Sequence, residues 1–385
     1  MKTSPKGFLT IILTVWAAAL LVATYVRFEK LDKSNSTKFD SRTTIFISIA
    51  SYRDVQCAYT LLDAYKNAKH PERVFAGIVQ QNDAMRDSDC LSAPIDRTKD
   101  AELLIKYKDN MRIHRVDHNI AKGPTWARHL VIDKLFRGED FVFQIDSHSR
   151  FVPNWDELLV ENVSELPPKS AISHYPSVWD PVEHKDKLPP DYNKSIARMC
   201  KGFYNPEGIL QPVCGLMSLL QRKSVPAHIA GAGMTFYPGS VHKDMDMDPH
   251  LPYLFQGEEL LFTMRMISKG YKVYSPRENY VFHYYGRQKH AKFFDLVDAA
   301  KENQRLQSLQ RAKYIMGIID KSDLTDPKTS LIEIEKYNID WSNELVKKRM
   351  DHYFKMFGMD LRQQKMGDFC GQDDLSKWPR WDVKL

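Results

Sequence analysis

The sequence predicts an α/β fold: a mostly parallel sheet with helices on both faces, preceded by one transmembrane helix. Three observations carry this. Short β-branched and apolar runs alternate with segments of helical spacing, the pattern that builds strand–helix–strand units. The runs end abruptly in polar residues, as strands do where such a sheet opens onto a ligand crevice. An uncharged stretch of roughly 19 residues, Phe8 to Val26, is long enough to cross a hydrocarbon core of about 30 Å as a helix.

The apolar stretch follows a short tail (1–7) with Lys2 and Lys6, and Arg27, Lys30 and Lys33 come after it. It continues well past the small residues Ala17-Ala18-Ala19, so an uncleaved signal anchor is favoured over a cleaved peptide. The flanking charges are similar and leave orientation open. Because the bulk of the chain follows the anchor, a type II arrangement with a lumenal C-terminal region is expected. Residues 27–43, rich in Ser, Lys and Asp, form a stem. The triplets Asn35-Ser36-Thr37, Asn162-Val163-Ser164 and Asn193-Lys194-Ser195 match the N-glycosylation acceptor pattern.

Ile45 to Ala50 is a run expected of a strand buried on both faces. Asp54 offers a helix N-cap, and Ala58, Leu61, Leu62 and Tyr65 follow at helical spacing. Val74 to Val79 and Met111 to Val116 are the second and third strands. Gly123-Pro124 opens a helix through Leu135, and Phe141 to Ile145 is a fourth strand ending at Asp146. The stretch 155–255 is broken by Pro and Gly, with strands expected at Val213 to Leu220 and Met234 to Phe236. An amphipathic helix spans Gly257 to Lys269, a short strand Tyr271 to Tyr274, and a charged helical extension 291–385.

At 385 residues and 43% hydrophobic, the chain can bury a large core. Its net charge of +6 is mild, and no basic stripe with interleaved aromatics is present, which argues against a nucleic-acid partner. The five cysteines include no CxxC pair. Up to two disulfides could form in an oxidising lumen, with Cys200 and Cys214, which flank a Gly/Pro-containing loop, the preferred pair; buried reduced cysteines are the equal alternative.

Asp146-Ser147-His148 stands where a buried strand breaks into a loop. Alternate residues in an extended turn can point the same way, so a carboxylate and an imidazole can share one divalent cation. The plainer alternative is an Asp that caps a turn beside an incidental His. His283, after the apolar pair Val281-Phe282, is the candidate third ligand. Glu258 and Glu259 open the amphipathic helix, where acids favour the helix dipole; either can instead orient a substrate hydroxyl. Arg265, two turns on, can neutralise phosphate or pair with these acids. Lys122 and Arg128 bracket a helix N-terminus, a ready anion site. The strand ends Ser51-Tyr52-Arg53-Asp54 and Gln80-Gln81-Asn82-Asp83 are further polar candidates. Gly231-Ala232-Gly233 lets backbone approach a neighbour closely.

Three motifs in order, Phe46 to Asp54, Gly123 to Arg128 and Gln144 to Phe151, resemble an N-acetylglucosaminyltransferase family. That family includes the Skp1-hydroxyproline GlcNAc-transferases and Golgi polypeptide α-GlcNAc-transferases. It is distantly similar to the polypeptide N-acetylgalactosaminyltransferases, which carry a D-x-H, a G-G-E leading to an arginine, and a later metal-binding histidine. The resemblance covers about 44–290 and implies a Rossmann-type, GT-A-like catalytic domain. It further implies UDP-GlcNAc as donor, Mn2+ or Mg2+, and retention of anomeric configuration. Asp146, His148 and His283 would be the metal ligands and Glu258 or Glu259 the active-site carboxylate. Arg128 would be a donor contact; Ser51, Arg53, Asp83, Lys122 and Arg265 are added as donor-binding candidates from their strand ends, helix start and charge. One departure is that a single glycine precedes Glu258, which leaves the choice between the two glutamates open. The anchor points to the Golgi polypeptide branch, with Ser/Thr or hydroxyproline hydroxyls of a protein acceptor. Two rivals stand beside this reading: a catalytically inactive sugar- or protein-binding relative, and a non-haem iron oxygenase. The latter usually reads H-x-D on an all-β barrel rather than D-x-H after an α/β half.

Overall fold

The structure, a computed structural model, describes residues 42–92, 94, 100–185, 187–213, 217–219, 223–287, 290–370 and 378–382. The expected tail, the anchor at 8–26 and nearly all of the stem lie outside these residues, as does Cys214. Among the described residues no helix is long and apolar enough to cross a membrane.

Four strands form the parallel half of the sheet: β1 (Ile45–Tyr52), β2 (Val74–Asn82), β3 (Met111–Asp117) and β4 (Phe141–Asp146). β1 lies between β4 and β2 in parallel register, Ile45 opposite both Val74 and Phe141, and β3 follows on β2. Phe46, Ile47 and Ile49 are fully buried, as the uninterrupted apolar run of β1 requires when helices cover both faces. The chain continues through β5 (Ser149–Phe151), β6 (Ser170–Ser173), β7 (Ser177–Val178), β8 (Val225–Pro226), β9 (Met234–Pro238), β10 (Lys272–Ser275) and β11 (Val281–His283).

The main sheet has eight strands in the order β8-β10-β6-β9-β4-β1-β2-β3. It is mixed, not mostly parallel as the sequence suggested. β9 runs antiparallel to both β4 and β6, and β8 antiparallel to β10. No helix-length crossover leads into β9, so the strand can enter the sheet in reverse. Its register is pinned by cross-strand aromatics: Phe236 stacks on Phe141 at 4.8 Å and meets Phe143 edge-on at 5.8 Å. A second, small sheet sets β11 between β5 and β7.

Helix α1 (Cys57–Asn67) buries Ala58, Leu61, Leu62 and Tyr65, the stripe its spacing predicted. Asp54 is not its cap; the N-cap is Gln56, without a side-chain bond. α2 (Pro124–Leu130) starts at Gly123, whose φ of 88° is strained for any residue with a Cβ, and continues into a wide turn at Val131–Leu135. Next come α3 (Trp155–Ser164) and α4 (Glu258–Ser268), which is buried along nearly its whole length. Within the strand expected at Val213 to Leu220, Met217–Leu219 is a strand paired with Ser195–Ala197, while 214–216 and 220 lie outside the described residues.

The C-terminal extension holds α5 (Ala299–Ile315) and α6 (Glu344–Phe357). It is stapled to the sheet's second half. Tyr353 donates to the His228 carbonyl, and Trp381 Nε1 donates to the Val273 carbonyl at 3.0 Å. Cys200 bonds Cys370, not Cys214, and Cys57 bonds Cys90. Sequence proximity favoured the wrong partner because the fold brings residue 370 back over the start of the 200–213 loop, where Phe369 N–H donates to the Cys200 carbonyl. Of the three glycosylation triplets, Asn162 is fully buried and hydrogen-bonded to Ser224 Oγ at 2.8 Å, which removes it as an acceptor, whereas Asn193 is exposed.

Candidate active site

The carboxyl ends of β1 and β4 open onto a cleft of about 430 Å³ lined by Asp146, His148, His283, Arg128, Glu258, Glu259 and Arg287, among others. β4 delivers Asp146 as its last residue, and the turn Ser147-His148 carries the chain into β5. β5 pairs antiparallel with β11, Ser149 opposite His283. That ladder places His283, remote in sequence, against the Asp146 turn.

Asp146 Oδ2 lies 3.0 Å from His283 Nε2, and one ligand atom each of Asp146, His148 and His283 fall within 4.8 Å of one another. The His148 and His283 rings meet nearly edge-on at 4.4 Å. Burial alone would raise the Asp146 carboxyl pKa, but the bond from His283 and the nearby His148 and Arg128 hold it well below the usual carboxylate range. Burial depresses His283 below the ordinary histidine value and outweighs its hydrogen bond to Asp146, so its imidazole is neutral near pH 7. An ionised acid and a neutral imidazole facing one point, with a second imidazole beside them, are the donor set of a divalent-cation site. His283 Nδ1 is buried without a partner.

Arg128, on α2, ties this group to α4. It donates through Nη2 to Asp146 Oδ1 at 3.2 Å and through Nη1 to Glu258 Oε2. Glu259 turns to the other wall, where it accepts from Tyr175 Oη at 2.7 Å and from the Ala232 N–H at 2.6 Å. Burial pushes the Glu259 carboxyl up to about 7 despite these bonds. The sequence's Gly-Ala-Gly has its close approach here: a Cβ on Gly233 would stand 3.3 Å from Asp146 Oδ2.

Five other predicted residues lie elsewhere. Ser51 is buried inside the sheet and does not line the cleft. Arg53 turns away to Asp87 at 2.8 Å, and Asp83 stays in its own turn, accepting from the Met85 N–H at 3.0 Å. Lys122 lies over the Trp126 ring at 5.8 Å and borders a separate hollow with His250 and Arg311. Arg265 lies two turns along α4 from Glu258 and does not line the cleft; its guanidinium is 5.9 Å from the Tyr337 ring. Tyr175 and Arg287 join the site unannounced, and Asp54, named in the sequence only as a helix cap and as part of a polar strand end, stands behind His148. Asp54 at least had a signal, as an acid just past the end of a central parallel strand; Tyr175 and Arg287 sit in irregular loops.

The family model described as Glycosyltransferase (GlcNAc) matches residues 44–104 and 96–362, nearly all of the described chain. The chain belongs to this glycosyltransferase family. No curated protein sequence matches the glycosyltransferase. Among solved structures it is similar to GalNAc-T7 with UDP, GalNAc and Mn2+, at 12% identity and a TM-score of 0.49 over 81% of this chain and 58% of that one. It is also similar to S. aureus TarS 1-349 with UDP-GlcNAc, at 12% identity and a TM-score of 0.39 over 73% of this chain and 74% of that one. The mannosyltransferase PcManGT from Pyrobaculum calidifontis, with GDP-Man and Mn2+, gives 12% identity and a TM-score of 0.40 over 87% and 85%. The glycosyltransferase thus spans less than two thirds of the GalNAc-T7 chain.

Proposed function

We propose that this glycosyltransferase moves GlcNAc from UDP-GlcNAc to a Ser/Thr or hydroxyproline hydroxyl of a protein acceptor, with retention, in a GT-A-type site. The observation that carries the reading is the convergence of Asp146, His148 and His283 at the mouth of the parallel half-sheet. Their donor set fits Mn2+ or Mg2+, which when bound would stabilise the charge that grows on a departing diphosphate. His283, His148 and Arg128 together keep Asp146 ionised, and Arg128 also holds Glu258 facing the cleft. Arg287 lines the same cleft with Nε and Nη2 unpartnered, and is suited to take up diphosphate oxygens. Glu259, with Tyr175, forms the wall where an acceptor or sugar hydroxyl would be oriented. The expected type II anchor adds a Golgi location with the catalytic domain in the lumen; protease digestion of the catalytic domain in intact Golgi vesicles would overturn that location.

The test is a panel of UDP-sugars incubated with Mn2+ and mixed Ser, Thr and hydroxyproline peptides. Transfer is expected from UDP-GlcNAc and lost in Asp146→Ala with the fold intact. Transfer from a different donor, or unchanged turnover in that variant, contradicts the reading.

A further inference from the structure

We infer that Asp54 is the positioning residue of this site: its carboxylate holds Nδ1 of His148, which fixes the imidazole's tautomer and presents Nε2 to Asp146 and His283. The inference rests on the metal reading above but concerns a residue that does not itself line the cleft.

The Asp54 side chain is 1% exposed, and its oxygens are fully engaged. Oδ1 accepts from the Gln56 N–H at 2.9 Å, and Oδ2 accepts from Ser147 Oγ at 2.5 Å. His148 Nδ1 lies 2.7 Å from the same Oδ2, and Arg287 Nη1 lies 3.5 Å from it. An ionised carboxylate can only accept, so the proton of His148 sits on Nδ1. Arg287 Nη1 is also 3.3 Å from that nitrogen, but two donors cannot bond one another, so Asp54 is the arginine's partner there. A carboxylate behind an imidazole orients the ring and raises its basicity as a ligand.

The backbone is bent to make this contact. Arg53, the last residue before Asp54, has φ of 46°, a left-handed conformation that costs a side-chain-bearing residue free energy. It is held there by its N–H bond to the Gln81 carbonyl at 3.1 Å and by its ion pair with Asp87. Three residues after Asp54, the Cys57–Cys90 disulfide pins the start of α1. The turn is fastened on both sides, and from it Asp54 gives Oδ1 to the N–H of Gln56 and Oδ2 to the Ser147-His148 loop.

The test uses the full-length protein and Mn2+ alone, with free Mn2+ followed by electron paramagnetic resonance. Asp54→Asn is expected to weaken Mn2+ binding about 10- to 100-fold, while Ser147→Ala, which keeps the Asp54–His148 contact, changes it less than about threefold. In histidine-labelled wild-type protein, long-range proton–nitrogen NMR should show His148 protonated on Nδ1, with the signal assigned by its loss in His148→Gln. That spectrum decides the matter even if Asp54→Asn does not fold. A wild-type His148 protonated on Nε2, or a folded Asp54→Asn with wild-type Mn2+ affinity, overturns the positioning role and leaves the metal reading intact. A wild-type protein that binds no Mn2+ overturns both.

Discussion

Nε2 of His283 stands 3.0 Å from Oδ2 of Asp146, although 137 residues separate them in the chain. The contact is made by the β5–β11 ladder, so it is a property of the fold rather than of a local motif. His283→Ala should therefore remove a ligand without disturbing Asp146-Ser147-His148. We expect Mn2+ affinity to fall at least about tenfold, with a stability loss of about 1–3 kcal/mol from the hydrogen bond Asp146 loses. Calorimetric titration of both proteins with Mn2+ checks this.

Arg128 answers two carboxylates, Glu258 and Asp146, from a side chain that is 6% exposed. Arg128→Met keeps much of the volume and strands both acids. Removing one member of a buried ion network costs about 3–5 kcal/mol, and loss of catalysis should accompany it. Arg128→Lys keeps the charge but not the fork, so it should recover most of the stability and little of the turnover. Urea unfolding and UDP release, measured in parallel, separate the two effects.

Glu259 gives the pH dependence a sign. Its folded pKa is raised from 4.5 to about 7 by burial, so the folded state binds more protons than the unfolded state between those values. Stability from this residue is present below about pH 4.5 and lost as pH rises through 7. The loss is at most about 3 kcal/mol, and less where the cleft admits solvent. Glu259→Gln lacks the titration, so its stability should gain on wild type from pH 5 to 8. Denaturant unfolding across that range is the check.

The disulfides close loops of very different length, with sequence separations of 33 for Cys57–Cys90 and 170 for Cys200–Cys370. Loop entropy predicts a larger cost for opening the longer one, within a usual range of about 2–5 kcal/mol. Cys370→Ser should thus destabilise the protein more than Cys90→Ser, as read by thermal unfolding. Of five cysteines, one should react with a thiol reagent in the unfolded, unreduced chain.

What could be read from the sequence was whatever depends on local pattern. β1, β2, β3 and β4 declare themselves through apolar runs, and Asp146 is marked by standing where one run stops. The stripe of α1 and the start of α4 are equally local. The antiparallel entry of β9 was not legible, because a five-residue apolar strand looks alike in either direction. Arg53 and Arg265 fit a donor site by charge and position, yet Asp87 and the Asp248–Tyr337 surroundings turn them elsewhere. Asp54 read as a helix cap since its nearest helix is local and its true partner, His148, is 94 residues on. The Cys200 bridge failed for the same reason: proximity along the chain stood in for proximity in the fold.

Asp146, His148 and His283 are proposed to hold a divalent cation beneath the leaving nucleotide. Isothermal titration of the full-length protein with UDP, with and without Mn2+, tests it most directly. UDP binding should depend on Mn2+ and disappear in Asp146→Ala. Equal UDP affinity without the cation, or unchanged affinity in that variant, would contradict it.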